Sequence, residues 1–409
     1  MGDDHCSTAA DGPASRAIDR RTVLAGAAGA LLGVALKWPS RAGAGAAFLD
    51  SLVDVRFDPV LARRLQQTLD HAVAASRGMI PGAILHAERA GHGSWTGTAG
   101  LGRLHPDVAI RPGDRFRAGS IVKPFVATTV LQLVEGGRFT LDATLPSVLP
   151  ADVTNRFPTA SKITVRMLLN HRSGVPDWDS PAVDEAAVRH PAKIWKVSEF
   201  LDLAAAKKPL FTPGTRYKYS NTDYTLLGLI IEHATGRSWR QEVTDRIIKR
   251  LRLRATVLPA PGNRSAMGPY AHGYIEVNGK VLDVSNVDPS FAGAAGADAL
   301  VTTVTDLVRF LDALLAGRLF RHRDTLRQML TFGPAPDVGG QVGYGLGIER
   351  TVVPGGVDLI GHLGGAVGYF AYVGRLQRQK VTFAAAMNSS ADPSPLLIPV
   401  FRVLATARR

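Results

Sequence analysis

Hydrophobic residues recur with a helical period in some segments of this chain and with a strand pattern in others, and the order of these segments predicts a fold. A helical period over residues 58–77, closed by Gly78, predicts an amphipathic helix. Two apolar segments over residues 82–90 and 94–101 predict strands. The segment from Ser120 to Glu135 is apolar on nearly every side, so we expect a buried helix there, ended by two glycines.

Helical patterns dominate the middle of the chain, and strand patterns dominate its last quarter. Helices are predicted over residues 164–170, 198–207, 222–235 and 239–251, and strands over 343–353, 357–362, 368–376 and 380–388, before a closing helix over 395–407. This order predicts an α+β fold, an α/β sandwich whose antiparallel sheet is flanked by the N- and C-terminal helices and interrupted by an all-helical subdomain. The sheet domain is assigned to residues 48–125 and 290–409, and the helical subdomain to residues 126–289.

The first 47 residues differ in composition from the rest and are predicted to be an export signal of the twin-arginine type. Arg20 and Arg21 precede an alanine, glycine and leucine run over residues 25–36, and small residues at 42–47 offer a cleavage region. The run is short for a membrane-spanning helix, and a retained N-terminal anchor is the alternative. Cys6, the single cysteine, precedes the run. We therefore expect an extracellular, wall-associated or periplasmic protein without disulfides.

The chain is strongly basic, with 48 lysines and arginines against 35 acidic residues and a net charge of +13. Basic residues are densest over residues 245–254, without interleaved aromatic residues or the motifs of a nucleic-acid-binding module. We expect a solvated helix face there and no nucleic-acid partner. The charge predicts at most a loose attraction to anionic wall polymers or membrane surfaces.

Ser120 and Lys123 lie three residues apart where a polar loop turns into the predicted apolar helix. At this spacing the hydroxyl and the amine share one helix face, and a neighbouring amine can activate a serine nucleophile. The first helical turn also presents backbone N–H groups to a developing oxyanion. Because this spacing also arises by chance, the interpretation depends on other residues.

Tyr219 and Asn221 lie in a loop bounded by proline and glycine, just before a predicted helix. A phenol beside an ammonium group has a lowered pKa and can take the serine proton. The amide of Asn221 can orient a substrate carbonyl. The alternatives are that the tyrosine only packs and that the asparagine caps the following helix.

His362 lies at the end of a late predicted strand and is followed by Gly364 and Gly365. Glycines at this place let a substrate backbone approach the strand closely. The backbone N–H of Gly365 is a candidate second oxyanion donor beside that of Ser120. A single histidine in a strand is more often structural than catalytic.

The order of the three motifs favours the catalytic interpretation of each. Ser-x-x-Lys lies at a helix start, Tyr-x-Asn in a later loop and His-x-Gly on a late strand. This order resembles the motifs of the serine β-lactamase and penicillin-recognising DD-peptidase superfamily. The similarity extends through the segments 116–120, 168–174, 213–222, 343–347 and 361–362. Within the superfamily the chain most resembles the secreted actinomycete D-alanyl-D-alanine carboxypeptidases, with class C β-lactamases and related esterases further away.

The resemblance implies a role for each candidate residue. Ser120 is implied as the nucleophile, Lys123 as its activating partner and Tyr219 as the general acid and base. Asn221 is implied as the amide that orients the ligand, and His362 stands where this subgroup has histidine and β-lactamases have lysine. No metal and no organic cofactor are implied. The chain contains no Gly-x-Ser-x-Gly segment, the central feature of an α/β-hydrolase.

Three positions depart from the carboxypeptidase pattern. Where those enzymes carry two hydroxyl residues and an arginine that grip the substrate's terminal carboxylate, this chain has Leu363, Gly365 and Glu349. Arg350 is adjacent, but successive residues of a strand point to opposite faces. Losing these contacts weakens carboxylate binding.

The sequence therefore predicts an exported serine hydrolase that acts through an acyl-enzyme on amide or ester bonds. The first expectation is a D-alanyl-D-alanine carboxypeptidase-like activity on D-amino-acid wall peptides such as the peptidoglycan stem peptide, with β-lactams as covalent ligands. The alternatives are an esterase or D-aminopeptidase of the same superfamily, a β-lactamase, and a penicillin-binding sensor module without turnover.

Overall fold

The computed structural model describes residues 52–53, 57–291, 299–335, 341–353 and 356–407. The predicted export signal at 1–47 lies outside the described residues, so it stays a prediction. Across the described ranges, no helix is both long and apolar enough to cross a membrane.

An antiparallel sheet forms the centre of the described fold. In chain order the strands are β1 (Leu52–Val53), β2 (Gly82–Arg89), β3 (Gly93–Leu104), β4 (Asp107–Ala109), β5 (Phe116–Arg117), β6 (Tyr274–Val277), β7 (Lys280–Asp283), β8 (Val301–Thr302), β9 (Gly333–Pro334), β10 (Gln341–Tyr344), β11 (Glu349–Val353), β12 (Val357–Ala366), β13 (Tyr369–Leu376) and β14 (Val381–Met387). The sheet has the order β1-β3-β2-β14-β13-β12-β11-β10-β9, with β4 paired to β3. Strands from both ends of the described chain thus meet at the β2–β14 pair.

Helices cover both faces of this sheet. In chain order they are α1 (Pro59–Ala75), α2 (Val122–Glu135), α3 (Leu145–Val148), α4 (Ala151–Thr154), α5 (Val165–Leu169), α6 (Pro181–Arg189), α7 (Val197–Ala205), α8 (Asn221–Thr235), α9 (Trp239–Val243), α10 (Val304–Leu315), α11 (Arg323–Met329) and α12 (Ser394–Ala405). α1 and α12, from opposite ends of the described chain, pack against each other. The helices from α2 to α9 form the helical block that the sequence places between the strands.

The central strands are buried on both faces, and β14 shows how the sequence achieves this. Phe383 and Met387 point into the core beneath α1 and α12, whereas Ala384 and Ala386 point into the core of the helical block. Each large apolar side chain buried in this way stabilises the fold by roughly 1.5–3 kcal/mol. The two terminal helices supply one apolar stripe each: Leu61, Leu65 and Leu69 from α1, and Leu396, Val400 and Leu404 from α12.

The predicted fold class is confirmed, and most predicted elements lie within two to four residues of those observed. Two predictions are wrong. The predicted strand over 343–353 is two strands, β10 and β11, because Gly347 adopts a φ of +80° and the N–H of Gly345 bonds to the carbonyl of Ile348 at 2.8 Å. The predicted helix over 239–251 is α-helical only in α9 and continues as a π-helix over Thr244–Lys249. The segment 126–289, which was predicted to be all-helical, also contains the β6–β7 hairpin, so that part of the prediction is corrected.

The dense basic stretch lies on a solvated helical face, as expected. Lys249 Nζ is 2.7 Å from the Asp245 carboxylate, and Arg246 Nε is 2.6 Å from the Glu242 carboxylate, both at a spacing of four residues. Lys249 is exposed and Arg246 is half-buried. These ion pairs neutralise part of the local charge.

Candidate active site

Ser120 lies in a single 3₁₀ turn, Gly119–Ile121, that leads directly into α2. Gly119 has a φ of +52°, a left-handed conformation that favours glycine. The turn is held against the fold because the N–H of Ala118 donates to the carbonyl of Leu300 at 2.8 Å. Ile121 is fully buried, whereas Ser120 is partly exposed. The fold therefore presents one hydroxyl at the surface from a rigid support.

Lys123 links Ser120 to the loop that precedes α8. Its Nζ is 2.7 Å from Ser120 Oγ and 2.7 Å from Asn221 Oδ1. The whole side chain is buried, with 0% exposure. Nζ also lies 5.0 Å from the centre of the Tyr219 ring. The structure thus brings together four residues that the sequence singled out: Ser120, Lys123, Tyr219 and Asn221.

Asn221 is the first residue of α8, but its side chain does not cap that helix. The residue at the N-cap is Ser220. The side-chain Nδ2 of Asn221 instead donates to carboxylate oxygens of Asp177 and Asp179, each at 3.2 Å. The capping interpretation of Asn221 is therefore wrong, because both ends of its amide are used inside the site.

Asp177 and Asp179 are site residues that sequence reasoning missed. Both are half-buried and follow α5 in a loop that reaches the start of α8. Burial of the carboxyl group, and then the neighbouring charge of Asp179, raise the pKa of Asp177 to about 7. The sequence feature that could have identified them is an Asp-x-Asp pair just after residues 168–174, a segment that already belonged to the family resemblance. The pair adds negative charge beside the amide that is expected to hold substrate.

His362 lies on β12 and is 1% exposed. Its Nδ1 is 2.5 Å from the carbonyl of Leu363, which can only accept, so Nδ1 carries the hydrogen. Nε2 therefore accepts from the Tyr344 hydroxyl at 2.9 Å. Burial, followed by the charge of Lys123, lowers the pKa of His362 to about 3. The imidazole is thus neutral, and its partner Tyr344 has its ring centre 6.3 Å from that of Tyr219.

Gly364 and Gly365 lie where β12 passes the Ser120 turn. A Cβ on Gly364 would come within 2.0 Å of the carbonyl oxygen of Ala118, so only glycine allows this approach. Pairing of β11 with β12 ends at Gly361, which leaves the following edge of β12 open. The N–H of Leu363 points to that edge, and by strand alternation so does the N–H of Gly365. Gly365 is exposed and has the orientation that an oxyanion donor needs.

Glu349 and Arg350 behave as the strand alternation predicts. Glu349 is 7% exposed, and its carboxylate accepts the N–H of Leu363 at 3.2 Å. Arg350 is exposed and bonds through two nitrogens to Asp358, at 3.0 and 2.9 Å. An acid thus stands beside the open edge of β12, and the neighbouring guanidinium is engaged elsewhere.

The comparisons with known proteins agree with this geometry. The family model described as Beta-lactamase matches residues 61–406. A D-stereospecific amidohydrolase from Streptomyces sp. is similar at 36% identity and a TM-score of 0.73, over 82% of this chain and 97% of that one. A D-amino acid amidase from Ochrobactrum anthropi SV3, complexed with L-phenylalanine amide, is similar at 28% identity and a TM-score of 0.73, over 85% and 98% of the two chains.

Curated relatives are similar over a shorter stretch. Penicillin-binding protein 4 of Amycolatopsis lactamdurans is 30% identical over 207 residues, which are 50% of this chain and 51% of that protein. Protein flp of Staphylococcus aureus is 27% identical over 49% of this chain and 40% of that protein. The chain therefore spans about half, or less, of the length of these curated relatives.

Proposed function

We propose that this chain, which belongs to the beta-lactamase family, is a serine hydrolase that cleaves the amide bond of D-amino acid derivatives carrying a free ammonium group. One observation carries the proposal: a continuous series of hydrogen bonds runs from Ser120 through Lys123 and Asn221 to the carboxylates of Asp177 and Asp179. Ser120 and Lys123 supply an activated nucleophile, and Asp177 and Asp179 supply carboxylates that can bind a cation.

In the proposed reaction, Ser120 Oγ attacks the carbonyl carbon while its proton passes to the Lys123–Tyr219 pair. The N–H groups of Ser120 and Gly365 hold the oxyanion of the tetrahedral intermediate. The C–N bond then breaks, and the departing amine takes the proton from the same pair. Water attacks the resulting ester by the reverse proton path, which releases the acid and restores the Ser120 hydroxyl.

The substrate class follows from the carboxylates beside Asn221. The Asn221 amide is engaged at both ends, but the carboxylates that it binds lie beside the Lys123–Ser120 contact, where substituents on the α-carbon of the acyl part can reach them. An ammonium group is the substituent that two carboxylates favour, through charge-assisted hydrogen bonds. The preference for the D-configuration is supported by the two similar solved proteins, a D-stereospecific amidohydrolase and a D-amino acid amidase.

A D-alanyl-D-alanine carboxypeptidase is the second candidate, because the similar curated proteins include a penicillin-binding protein. The surroundings of β12 favour it less. Such an enzyme must bind a terminal carboxylate, whereas Glu349 places an acid at the open edge and Arg350 is bound to Asp358. Peptidoglycan stem peptides and β-lactams are the ligands that this candidate implies.

A comparison of substrates tests the two candidates. We expect D-phenylalanine amide to be hydrolysed faster than its N-acetyl derivative and faster than an N-acylated D-alanyl-D-alanine peptide. Asp177→Asn should raise the KM of the free-amine substrate by roughly 10- to 100-fold, because a charge-assisted hydrogen bond is lost. The N-acetyl substrate should show little change. Initial rates of product formation measure all these values.

The same carboxylate gives a pH dependence. Asp177 loses its proton near pH 7, so its negative charge grows as the pH rises toward that value. Between about pH 5.5 and 7, where an α-ammonium stays charged, the KM of the free-amine substrate should fall with rising pH.

The exposed Asp107→Asn is the matched control for Asp177→Asn and should leave the KM of every substrate unchanged. A preference for the D-alanyl-D-alanine peptide would favour the carboxypeptidase instead, and covalent labelling without any turnover would favour a sensor.

We also propose that the chain is exported by the twin-arginine route, on the sequence of its first 47 residues alone. Replacing Arg20 and Arg21 by lysines should retain the precursor inside the cell, because the paired arginines are the recognised feature of the signal. Arg16→Lys, a change outside the pair, should not affect export. Fractionation and immunoblotting measure the distribution, and unchanged secretion of the double variant would refute the proposal.

A further inference from the structure

One buried residue holds both sides of the segment that presents Tyr219. The backbone N–H of Lys218 donates to the carbonyl of His171 at 3.0 Å, and the N–H of Ser220 donates to His171 Nδ1 at 3.3 Å. The imidazole also packs on the Tyr219 ring, with 4.3 Å between the ring centres. His171 is 0% exposed and adopts a left-handed φ of +57°.

The partners of His171 determine where its hydrogens lie. A backbone N–H can only donate, so Nδ1 must accept from Ser220. Oδ2 of Asp223 lies 3.0 Å from the same Nδ1, so the hydrogen of that contact comes from the carboxyl group. The other oxygen of Asp223 accepts from Ser173 Oγ at 2.5 Å. This arrangement describes a carboxylic acid and a neutral imidazole, in which Ser220 and Asp223 share the lone pair of Nδ1. The hydrogen of the imidazole is then on Nε2, which is buried and has no hydrogen-bond partner among the described residues.

The surroundings favour the same uncharged pair. Asp223 is 0% exposed, and its burial raises the pKa of the carboxyl group well above the usual range. Burial also lowers the pKa of His171, and the charge of the nearby Lys123 lowers it further. Asp177 acts on Asp223 in the same direction as burial. A charge on the imidazole would lie near the amine of Lys123, because both groups contact the Tyr219 ring.

We propose that His171 is a positioning residue, which as a neutral imidazole accepts hydrogen bonds from Ser220 and Asp223 and thereby holds Tyr219 and Asn221 against Lys123. Ser220 lies between the two site residues, so a movement of its backbone displaces both. The contact at risk is the 2.7 Å hydrogen bond from Lys123 to Asn221. A misplacement of about 1 Å costs roughly 100-fold in rate. The inference rests on the proposed function, because it assigns these residues to the reaction.

Two substitutions of Asp223 test whether this residue acts on His171 as a neutral hydrogen-bond donor or as a negative charge. In Asp223→Asn the amide can donate to Nδ1 and accept from Ser173, so kcat should stay within about threefold of the original value. Asp223→Ala removes the donor, and kcat should fall by roughly 10- to 100-fold with little change in KM. His171→Phe keeps a packed ring but removes the acceptor, and it should resemble Asp223→Ala. His322→Phe, at an exposed position, is the control and should have no effect.

Nitrogen-15 NMR of the full chain gives a readout that does not depend on turnover. His171 should show a protonated Nε2 and an unprotonated Nδ1, without titration between pH 5 and 8, in the original chain and in Asp223→Asn. A hydrogen on Nδ1, or an Asp223→Asn variant as inactive as Asp223→Ala, would overturn the inference. If no amide substrate is turned over, the proposed function fails separately, and the rate of Ser120 labelling by a fluorophosphonate replaces kcat in the comparison.

Discussion

Replacing Ser120 by alanine is expected to lower kcat by a factor on the order of 10⁵ or more and to abolish covalent labelling by a fluorophosphonate. The hydroxyl is the partly exposed end of the Ser120–Lys123–Asn221 series, whereas the amine of Lys123 is fully buried, so the hydroxyl is the nucleophile that a substrate can reach. Removing the nucleophile leaves only the contribution of binding and oxyanion contacts. Mass spectrometry of the labelled protein and single-turnover rates measure the two effects.

The control for this variant is Ser147→Ala, which removes an exposed hydroxyl in the helical block. It should be labelled and should turn over substrate at the original rate. If Ser120→Ala were labelled as fast as the original chain, the nucleophile would lie elsewhere and the proposed reaction would be wrong.

Lys123→Met is expected to lower kcat/KM by roughly 10³- to 10⁴-fold without lowering the unfolding temperature. The activity falls because Ser120 loses the amine that lies 2.7 Å from its oxygen. The unfolding temperature is retained because two effects oppose each other: methionine avoids the cost of removing an amine from water, whereas Asn221 Oδ1 loses its donor. Steady-state kinetics and thermal unfolding of the same preparations measure both quantities.

Two further variants make this result specific. Lys123→Arg should stay inactive, because a planar guanidinium cannot replace a compact amine between Ser120 and Asn221. Lys162→Met, at an exposed lysine, should keep full activity. A Lys123→Met variant with near-original kcat/KM would show that the amine does not activate the serine.

The sequence predicted those parts of the fold that depend on local patterns. Alternating side chains in β14 and the apolar surface of α2 follow from the order of residues, and both elements are observed. The turn between β10 and β11 escaped prediction because the apolar pattern continues across it, and only the backbone at Gly347 interrupts the strand. The π-helical turn over Thr244–Lys249 likewise leaves the hydrophobic pattern almost unchanged.

The contacts of the candidate site likewise divide into those that local spacing predicts and those between residues far apart in the sequence. The Ser120–Lys123 contact spans three residues, so helix geometry alone predicts it. Asp177 meets Asn221 across 44 residues, and His171 meets Ser220 across 49, which no local period records. The motif that contains His171 was visible in the sequence. The proposed role of His171 depends on the structure, in which the N–H groups of Lys218 and Ser220 both donate to this residue.

The close passage of β12 over the Ser120 turn limits how this architecture can diversify. At Gly364 the strand and the turn touch through main-chain atoms, and even a methyl group would meet the carbonyl of Ala118 at 2.0 Å. The distance between nucleophile and strand is thus a property of the backbone that gradual side-chain change cannot adjust. We therefore expect new specificities, natural or engineered, to arise from side chains around the reacting groups, such as Asp177, Glu349 and Leu363, while the spacing of the reacting groups is inherited unchanged.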